Sequence, residues 1–315
     1  MNIAKQKENF ELNLPTVYER TKLKFIGADG YDVYNCTAPF IFNGEKYLYG
    51  RVEKREEWSN SKVMLFKETE KDVFKYVEET TLYPLEDPFI CKHNKEWLLG
   101  GVHVSKKFGN IKNYSCYFYR TEDITKPYYY TTGPDRMKDI RMVSLKGKLA
   151  VFTRPGNFVG YIEISGIEEL SDEVINNAKI IPLIEKGGHG GVNQAIPLDN
   201  GLIAIIGHNS FSFPQGINWY SQHHVYFATA CVFDPISNKI LMNEILATRM
   251  CFVPSTPSKI QPSGIPMEDV VFPSGILLRD DGKIDLYSGV GDATMQRITL
   301  DNPFKKYGNL VFEWQ

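Results

Sequence analysis

The stretch Leu85-Glu86-Asp87-Pro88-Phe89-Ile90 sets the reading of this chain. Two adjacent carboxylates stand directly before a proline. An apolar run follows, then the polar turn Lys92-His93-Asn94-Lys95, then a second apolar run, Trp97-Leu98-Leu99, ending in Gly100-Gly101. The proline biases Asp87 towards extended backbone, and the whole reads as a β-hairpin. A pair of acids at the mouth of a buried hairpin is unusual, and the same layout returns four more times.

Each return is centred on a polar turn. Asn43-Gly44 is preceded by Asn35-Cys36-Thr37-Ala38-Pro39-Phe40 and followed by Tyr47-Leu48-Tyr49-Gly50-Arg51. Lys146-Gly147 is preceded by Lys138-Asp139-Ile140-Arg141 and followed by a run ending in Arg154-Pro155. Asn200-Gly201 is preceded by Asn193-Gln194-Ala195 and followed by a run ending in Gly207-His208. Asp281-Gly282 is preceded by Glu268-Asp269-Val270 and followed by Ile284-Asp285-Leu286-Tyr287. The turns recur roughly every fifty residues, with a longer last interval. Short strands at that period predict an all-β propeller of five blades.

If the first strand of each hairpin is the innermost strand of its blade, the five openings meet at one end of a central channel. They are Asn35, Glu86-Asp87, Lys138-Asp139, Asn193-Gln194 and Glu268-Asp269. The second strands exit with Arg51, His103, Arg154, His208 and Asp292. Turn-forming residues begin many strands for local reasons alone. Five units in register, most with Arg or His at the exit, point instead to a polar ligand site.

Composition narrows the classes. The formal net charge is −2, and 43% of the residues are hydrophobic. There is no basic excess to meet nucleic acid and no run to span a membrane. The first residues are polar and lack a signal-peptide core. The five cysteines show no metal spacing and suit buried thiols in a reducing compartment, so a cytoplasmic location is expected. No metal is expected at the channel, where no ligand spacing stands out. The repeat argues for a single domain over 1–315, with residues 1–20 as an arm that closes against the last blade. Residues 53–62 read as a charged, solvated loop, and Ile167 to Ala178 as the helical stretch. Residues 207–224, rich in aromatics and histidine, read as a loop over the channel mouth, with Trp219 or Tyr220 as a platform for a sugar face.

These motifs resemble the five-bladed propellers of glycoside hydrolase family 130, the β-mannoside phosphorylases and related hydrolases. The whole chain is more similar still to a bacterial family known as domain of unknown function 1861. Glu86-Asp87-Pro88 matches the Glu-Asp-Pro-Arg motif, whose Asp is the catalytic acid. Asn35-Cys36-Thr37-Ala38-Pro39 resembles a sugar-binding Asn-Pro-Ala segment, and Tyr49-Gly50-Arg51 resembles Leu-Tyr-Arg. Lys138-Asp139 with Arg154-Pro155 resembles Asn-Lys-Asp and His-Arg-Pro. Val270 to Gly275 with Tyr287 to Asp292 resembles the last-blade signature. Three departures stand out. Phe89 replaces the Arg of Glu-Asp-Pro-Arg, Gly207-His208 is one residue out of step with Tyr-His-Gly, and Gly187 to Gly191 replaces a Gly- and Pro-rich stretch.

The resemblance implies an inverting cleavage of a small oligosaccharide or glycoside such as a mannoside. Asp87 would be the acid, with Glu86 as the alternative member of the pair. Water as nucleophile needs a second carboxylate, for which Asp139 and Asp292 are candidates, as they are for accepting sugar hydroxyls; Glu268-Asp269 could instead be the acid–base pair. Inorganic phosphate needs cations instead, and Arg51, Lys138, Arg154 and His208 supply them without a matching excess of acids beside Arg154. Phosphate is therefore the favoured co-substrate, with no other cofactor. Hydrolysis, a non-catalytic sugar-binding propeller, and a structural ring in which Glu86, Asp139 and Asp292 pair with these cations all stay open.

Overall fold

The computed structural model describes residues 2–58, 60–78, 80, 83–107, 110–184, 188–213 and 222–314. Trp219 and Tyr220 lie outside them. The chain opens with a helix, α1 (Ile3–Glu11), capped by the Asn2 side chain. Two short strands follow, β1 (Glu19–Lys22) and β2 (Lys24–Ile26). Blade one continues through β3 (Asp32–Tyr34), β4 (Phe40–Phe42), β5 (Glu45–Glu53), β6 (Lys62–Glu70) and β7 (Val73–Tyr76). Its inner strand is interrupted, so β3 and β4 both pair with β5 on either side of the Asn35–Pro39 excursion.

Blade two is β8 (Glu86–His93), β9 (Glu96–Lys107), β10 (Asn110–Thr121) and β11 (Tyr128–Thr132). Blade three is β12 (Arg141–Leu145), β13 (Lys148–Thr153), β14 (Val159–Ile164) and β15 (Lys179–Ile181). Between β14 and β15 stand a 3-10 turn and the short helix α2 (Asp172–Asn176), where the sequence predicted one helix. Blade four is β16 (His189–Pro197), β17 (Ile203–Phe213), β18 (His223–Asp234) and β19 (Lys239–Ala247). Blade five is β20 (Val271–Leu278), β21 (Ile284–Val290) and β22 (Thr294–Leu300). Residues 207–213, expected in a loop, continue β17 against β18.

Five sheets follow one another, each antiparallel from its inner strand outward except that β2 joins the outer edge of blade one parallel to β7, and the fold is the expected five-bladed β-propeller. The inner strands β8, β12, β16 and β20 contact one another in succession around the axis, and β3 closes the circle against blade five. Sheets packed on both faces need apolar or satisfied residues at every position. Accordingly β12 and β22 are buried along their whole length. The apolar clusters lie between blades; one joins Leu48, Phe66 and Phe74 of blade one to Leu277, Tyr287 and Met295 of blade five.

The ring is closed by the N-terminal segment. β1 pairs with β22 as the fourth strand of blade five, and β2 runs beside β7 in blade one. Arg297 locks the seam, its guanidinium bonded to Asp72, Glu19 and Asp285 while almost fully buried. At one end of the axis, the C-terminal residues Val311–Trp314 pack beneath Pro88, Phe89 and Ile90 around a residual cavity of about 30 Å³.

Candidate active site

β8 opens on a bulge. Glu86 pairs with Val102 and Phe89 with Gly100, so Asp87 and Pro88 stand out of the ladder. A proline has no N–H to lose at such a place. Asp87 takes a left-handed backbone with φ of 47°, not the extended one that the following proline favours. Its counterparts in the flanking blades, Asn35 (φ 43°) and Asp139 (φ 57°), do the same. Asn and Asp tolerate this region because their side chains can bond locally. Bulges at β16 and β20 leave Asn193 and Ser274 unpaired at the matching positions.

Above these openings lies a cavity of about 320 Å³. Asn35, Arg51, Glu86, Asp87, Lys138 and Asp292 supply its charged and polar lining, and Trp58, Tyr114, Tyr226 and Phe272 its aromatic lining, with several aliphatic side chains. Arg51 Nη1 donates to Asp87 Oδ1 at 3.0 Å, and Asn35 Nδ2 donates to the same oxygen at 3.0 Å. Asn35 Nδ2 also reaches Asp292 Oδ1 at 3.5 Å. Arg51 Nη2 lies 3.3 Å from Glu86 Oε1 and 3.4 Å from Glu53 Oε2. Burial pushes the Glu86 carboxyl above its usual range; Arg51 opposes the rise and Asp87 adds to it. Burial pushes Asp292 up as well, again against Arg51. Two carboxyls that hold protons readily thus flank one clamped by two donors.

A second cluster adjoins the first. Asp139, buried, is ion-paired with Arg154. Burial alone would raise Asp139, but Arg154 and Lys138 hold it well below the carboxylate range. Arg154 Nη2 donates to His189 Nε2 at 2.8 Å. Burial and the Arg154 charge bring His189 down to about 4, so the ring accepts that bond neutral. His208 Nδ1 lies 2.8 Å from Asn193 Oδ1, and burial lowers its pKa too. Lys138 faces the cavity and forms no ion pair among the described residues. Burial and the Arg154 charge lower its pKa, but Asp139 foremost, with Tyr226 and Asp87, outweighs them and raises it.

The sequence expectations divide here. Asn35, Arg51, Glu86, Asp87, Lys138 and Asp292 meet in one cavity, and Asp139, Arg154 and His208 stand beside it. Glu268 and Asp269 do not join them. Asp269 pairs with Lys7 of α1 at 3.0 Å, and Glu268 lines a separate hollow with Arg249. The opening of blade five is Ser274, because the long segment before β20 displaces the acids from the strand. Tyr287 is buried in the core between blades one and five. His103 stacks on Tyr117 at 4.4 Å, while its neighbours Val102 and Val104 line the cavity, as strand alternation requires. Arg154 is not a cation without a carboxylate, since Asp139 stands against it.

Other residues at the site had weak signals or none. Arg141 lies 5.2 Å over the Phe89 ring and donates to the Asp87 carbonyl at 3.4 Å. Arg141 lines the small cavity beneath Phe89 rather than the site cavity, so it braces the Asp87 backbone from behind. His189 sits in the glycine-rich stretch, where a Cβ on Gly190 would fall 2.2 Å from the His208 carbonyl oxygen. Glu53, in the stretch read as solvated, is fully buried.

Residues 8–306 match the family described as "Protein of unknown function (DUF1861)". The chain belongs to that family. No curated protein is significantly similar to this DUF1861 member. Among solved structures, a mannose phosphorylase from Leishmania mexicana (MPT-4), in complex with a phosphate ion, is 42% identical. The match covers 99% of this chain and 97% of that one, with a TM-score of 0.91. A GDP-Man-dependent mannosyltransferase from Leishmania mexicana (MPT-1) is 40% identical over 100% of both chains, also with a TM-score of 0.91. The β-1,2-mannobiose phosphorylase of Listeria innocua shares the fold at a TM-score of 0.61 and 15% identity, covering 87% of this chain and 91% of that one.

Proposed function

We propose that this DUF1861 member is a mannoside-processing enzyme that cleaves its glycosidic bond by inverting phosphorolysis. The observation that carries the reading is the cavity itself, where the Glu86-Asp87 carboxyls and the cationic Lys138 face one small volume. The 42% identity to a mannose phosphorylase holding phosphate supports it over the full length of the chain.

Asp87 is the acid. Asn35 and Arg51 anchor Oδ1, which leaves Oδ2 to carry the proton to the leaving oxygen. A phosphate dianion brought in beside Lys138 adds negative charge and raises the proton affinity of the neighbouring carboxyls. Lys138 is the main phosphate contact, since Arg51 and Arg154 each already meet carboxylates; the Arg154 guanidinium and Arg141 add positive potential behind it. Hydrolysis would need a base across the sugar ring from the acid, with about 6.5–9.5 Å between the carboxyls. Asp292 sits at the short end of that range at most, because its Oδ1 and that of Asp87 lie 3.5 and 3.0 Å from the same Asn35 nitrogen. Aromatic rings on the walls suit the apolar face of a sugar.

A second reading, mannosyl transfer from a sugar nucleotide, draws on the equally long match to a GDP-Man-dependent mannosyltransferase. One experiment separates the readings. Manno-oligosaccharides are incubated with and without inorganic phosphate, and the enzyme is offered mannose 1-phosphate or GDP-mannose with a mannoside acceptor. Phosphate-dependent release of mannose 1-phosphate, reversed when that ester is the donor, is expected. Release of free mannose without phosphate, or elongation from GDP-mannose alone, would overturn phosphorolysis.

A further inference from the structure

Behind Arg51 lies a set of charges that the cavity does not touch. Glu53, two residues further along β5 and on the same face, is fully buried. Its Oε1 accepts from the Asn60 N–H at 2.8 Å. Its Oε2 accepts from the Tyr34 hydroxyl at 2.7 Å and from Lys259 Nζ, and it lies 3.4 Å from Arg51 Nη2. Lys259 is 1% exposed and comes from the long segment before β20, on the far side of the ring closure. Its backbone is fixed at both ends: its N–H donates to the Gly291 carbonyl at 2.7 Å, and its carbonyl accepts from Met267 at 2.8 Å. Tyr34 receives both cations on its ring, Arg51 at 4.9 Å and Lys259 at 5.6 Å.

Arg51 therefore stands between two sets of acids. Glu53 pulls Nη2 into the protein, while Asp87 and Glu86 hold the guanidinium at the cavity. Coulomb attraction in a dry interior is strong and falls slowly with distance. An uncompensated Glu53 would capture Arg51, because a buried carboxylate that loses its partner seeks the next cation. We infer that Lys259 is a positioning residue: its ammonium neutralises Glu53 and so leaves Arg51 free to hold the Asp87 carboxyl in place. This rests on the reading of Asp87 as the acid of the proposed reaction.

The test uses Lys259→Met, Lys259→Arg and the double variant Glu53→Gln/Lys259→Met in the full chain. Crystal structures report the contact between Arg51 Nη1 and Asp87 Oδ1, which is 3.0 Å in the parent. Turnover is read as total sugar released, so it counts sugar phosphate and free sugar alike. Lys259→Met is expected to lose that contact and roughly 10- to 100-fold in kcat, the scale of a misplaced catalytic group, with the KM for the glycoside within about threefold. Lys259→Arg should restore contact and rate. The double variant, which removes both charges, should regain at least about tenfold over Lys259→Met. It is also the neutral pair that keeps the test open if the single variant does not fold. Retention of the contact with parental kcat in Lys259→Met overturns the inference, and so does a double variant that has lost the contact. Free sugar as the wild-type product would instead overturn phosphorolysis and leave the Lys259 comparison intact.

Discussion

Replacing Asp87 by Asn removes a transferable proton and a negative charge at nearly constant volume. The amide can present its oxygen where Oδ1 now lies, so Asn35 and Arg51 keep their 3.0 Å bonds. Arg51 loses one anionic partner but retains Glu86 and Glu53. The cost to the fold should be about 1 kcal/mol, the net value of an ordinary hydrogen bond. The cost to chemistry is larger, because a positioned general acid contributes about 10²–10⁴-fold. At 1.36 kcal/mol per decade, that is about 3–5 kcal/mol of barrier. The loss should depend on the leaving group. A mannobiose needs its departing oxygen protonated, whereas an aryl mannoside leaves without help and should be spared most of the loss. The assay is single-turnover cleavage of both substrates by Asp87→Asn and by Glu86→Gln, with thermal melting as the control. Equal losses on both substrates, or mannobiose turnover within about tenfold of wild type, would refute the assignment. A leaving-group-dependent loss in Glu86→Gln alone would transfer the role to Glu86, whose buried carboxyl already holds its proton more tightly than usual.

Lys138→Ala should raise the KM for phosphate by about 10- to 100-fold, the worth of one charge-assisted hydrogen bond, and leave the glycoside KM nearly unchanged; initial rates against both substrates decide. Gly289→Ala should place a Cβ 1.9 Å from Asn35 Oδ1 and 2.8 Å from the Asn35 backbone nitrogen. Backbone cannot yield cheaply, so about 1–3 kcal/mol of stability should be lost, with kcat falling as Asn35 releases Asp87; melting and kinetics check both. Burial alone would raise Glu53, but Arg51 and Lys259 hold it at about 2, below its unfolded value of about 4.3. Its stabilisation is therefore complete above the unfolded value and is lost as the pH falls from about 4 towards about 2. Chemical denaturation across that window should show a shallower pH slope in Glu53→Gln than in wild type, and identical slopes would contradict the shift.

The blades were legible because their turns have local chemistry. Asn43-Gly44 and Lys146-Gly147 place two consecutive residues at positive φ, the twist that two-residue hairpin loops require. From those turns the inner strands could be counted back to Asn35, Asp87 and Asp139. The count failed in blade five, where the segment carrying Lys259 intervenes and Glu268-Asp269 only mimics the earlier acid pair. Charge pairing was not legible. The pairing of Arg154 with Asp139 was open to the sequence only as an alternative, a ring of Glu86, Asp139 and Asp292 against the cations, because Asp139 stands fifteen residues earlier, just before β12. Glu53 looked like one member of a solvated run, since its partners Tyr34, Asn60 and Lys259 converge on it only in three dimensions. The cavity walls were missed for the same reason: Trp58, Tyr114, Tyr226 and Phe272 come from four different blades or connections.

The closing of the ring by β1 has a consequence for how the chain folds. Glu19 reaches Thr299 across nearly the whole sequence, so this contact carries one of the largest loop-closure costs in the molecule and belongs late in folding. During synthesis the first strand made must wait for the last. Until it docks, β22 presents a bare edge, and any copy of Glu19–Lys22 has the sequence to pair with it. Refolding at high concentration should thus yield strand-exchanged oligomers, in which one molecule's N-terminus completes another's last blade.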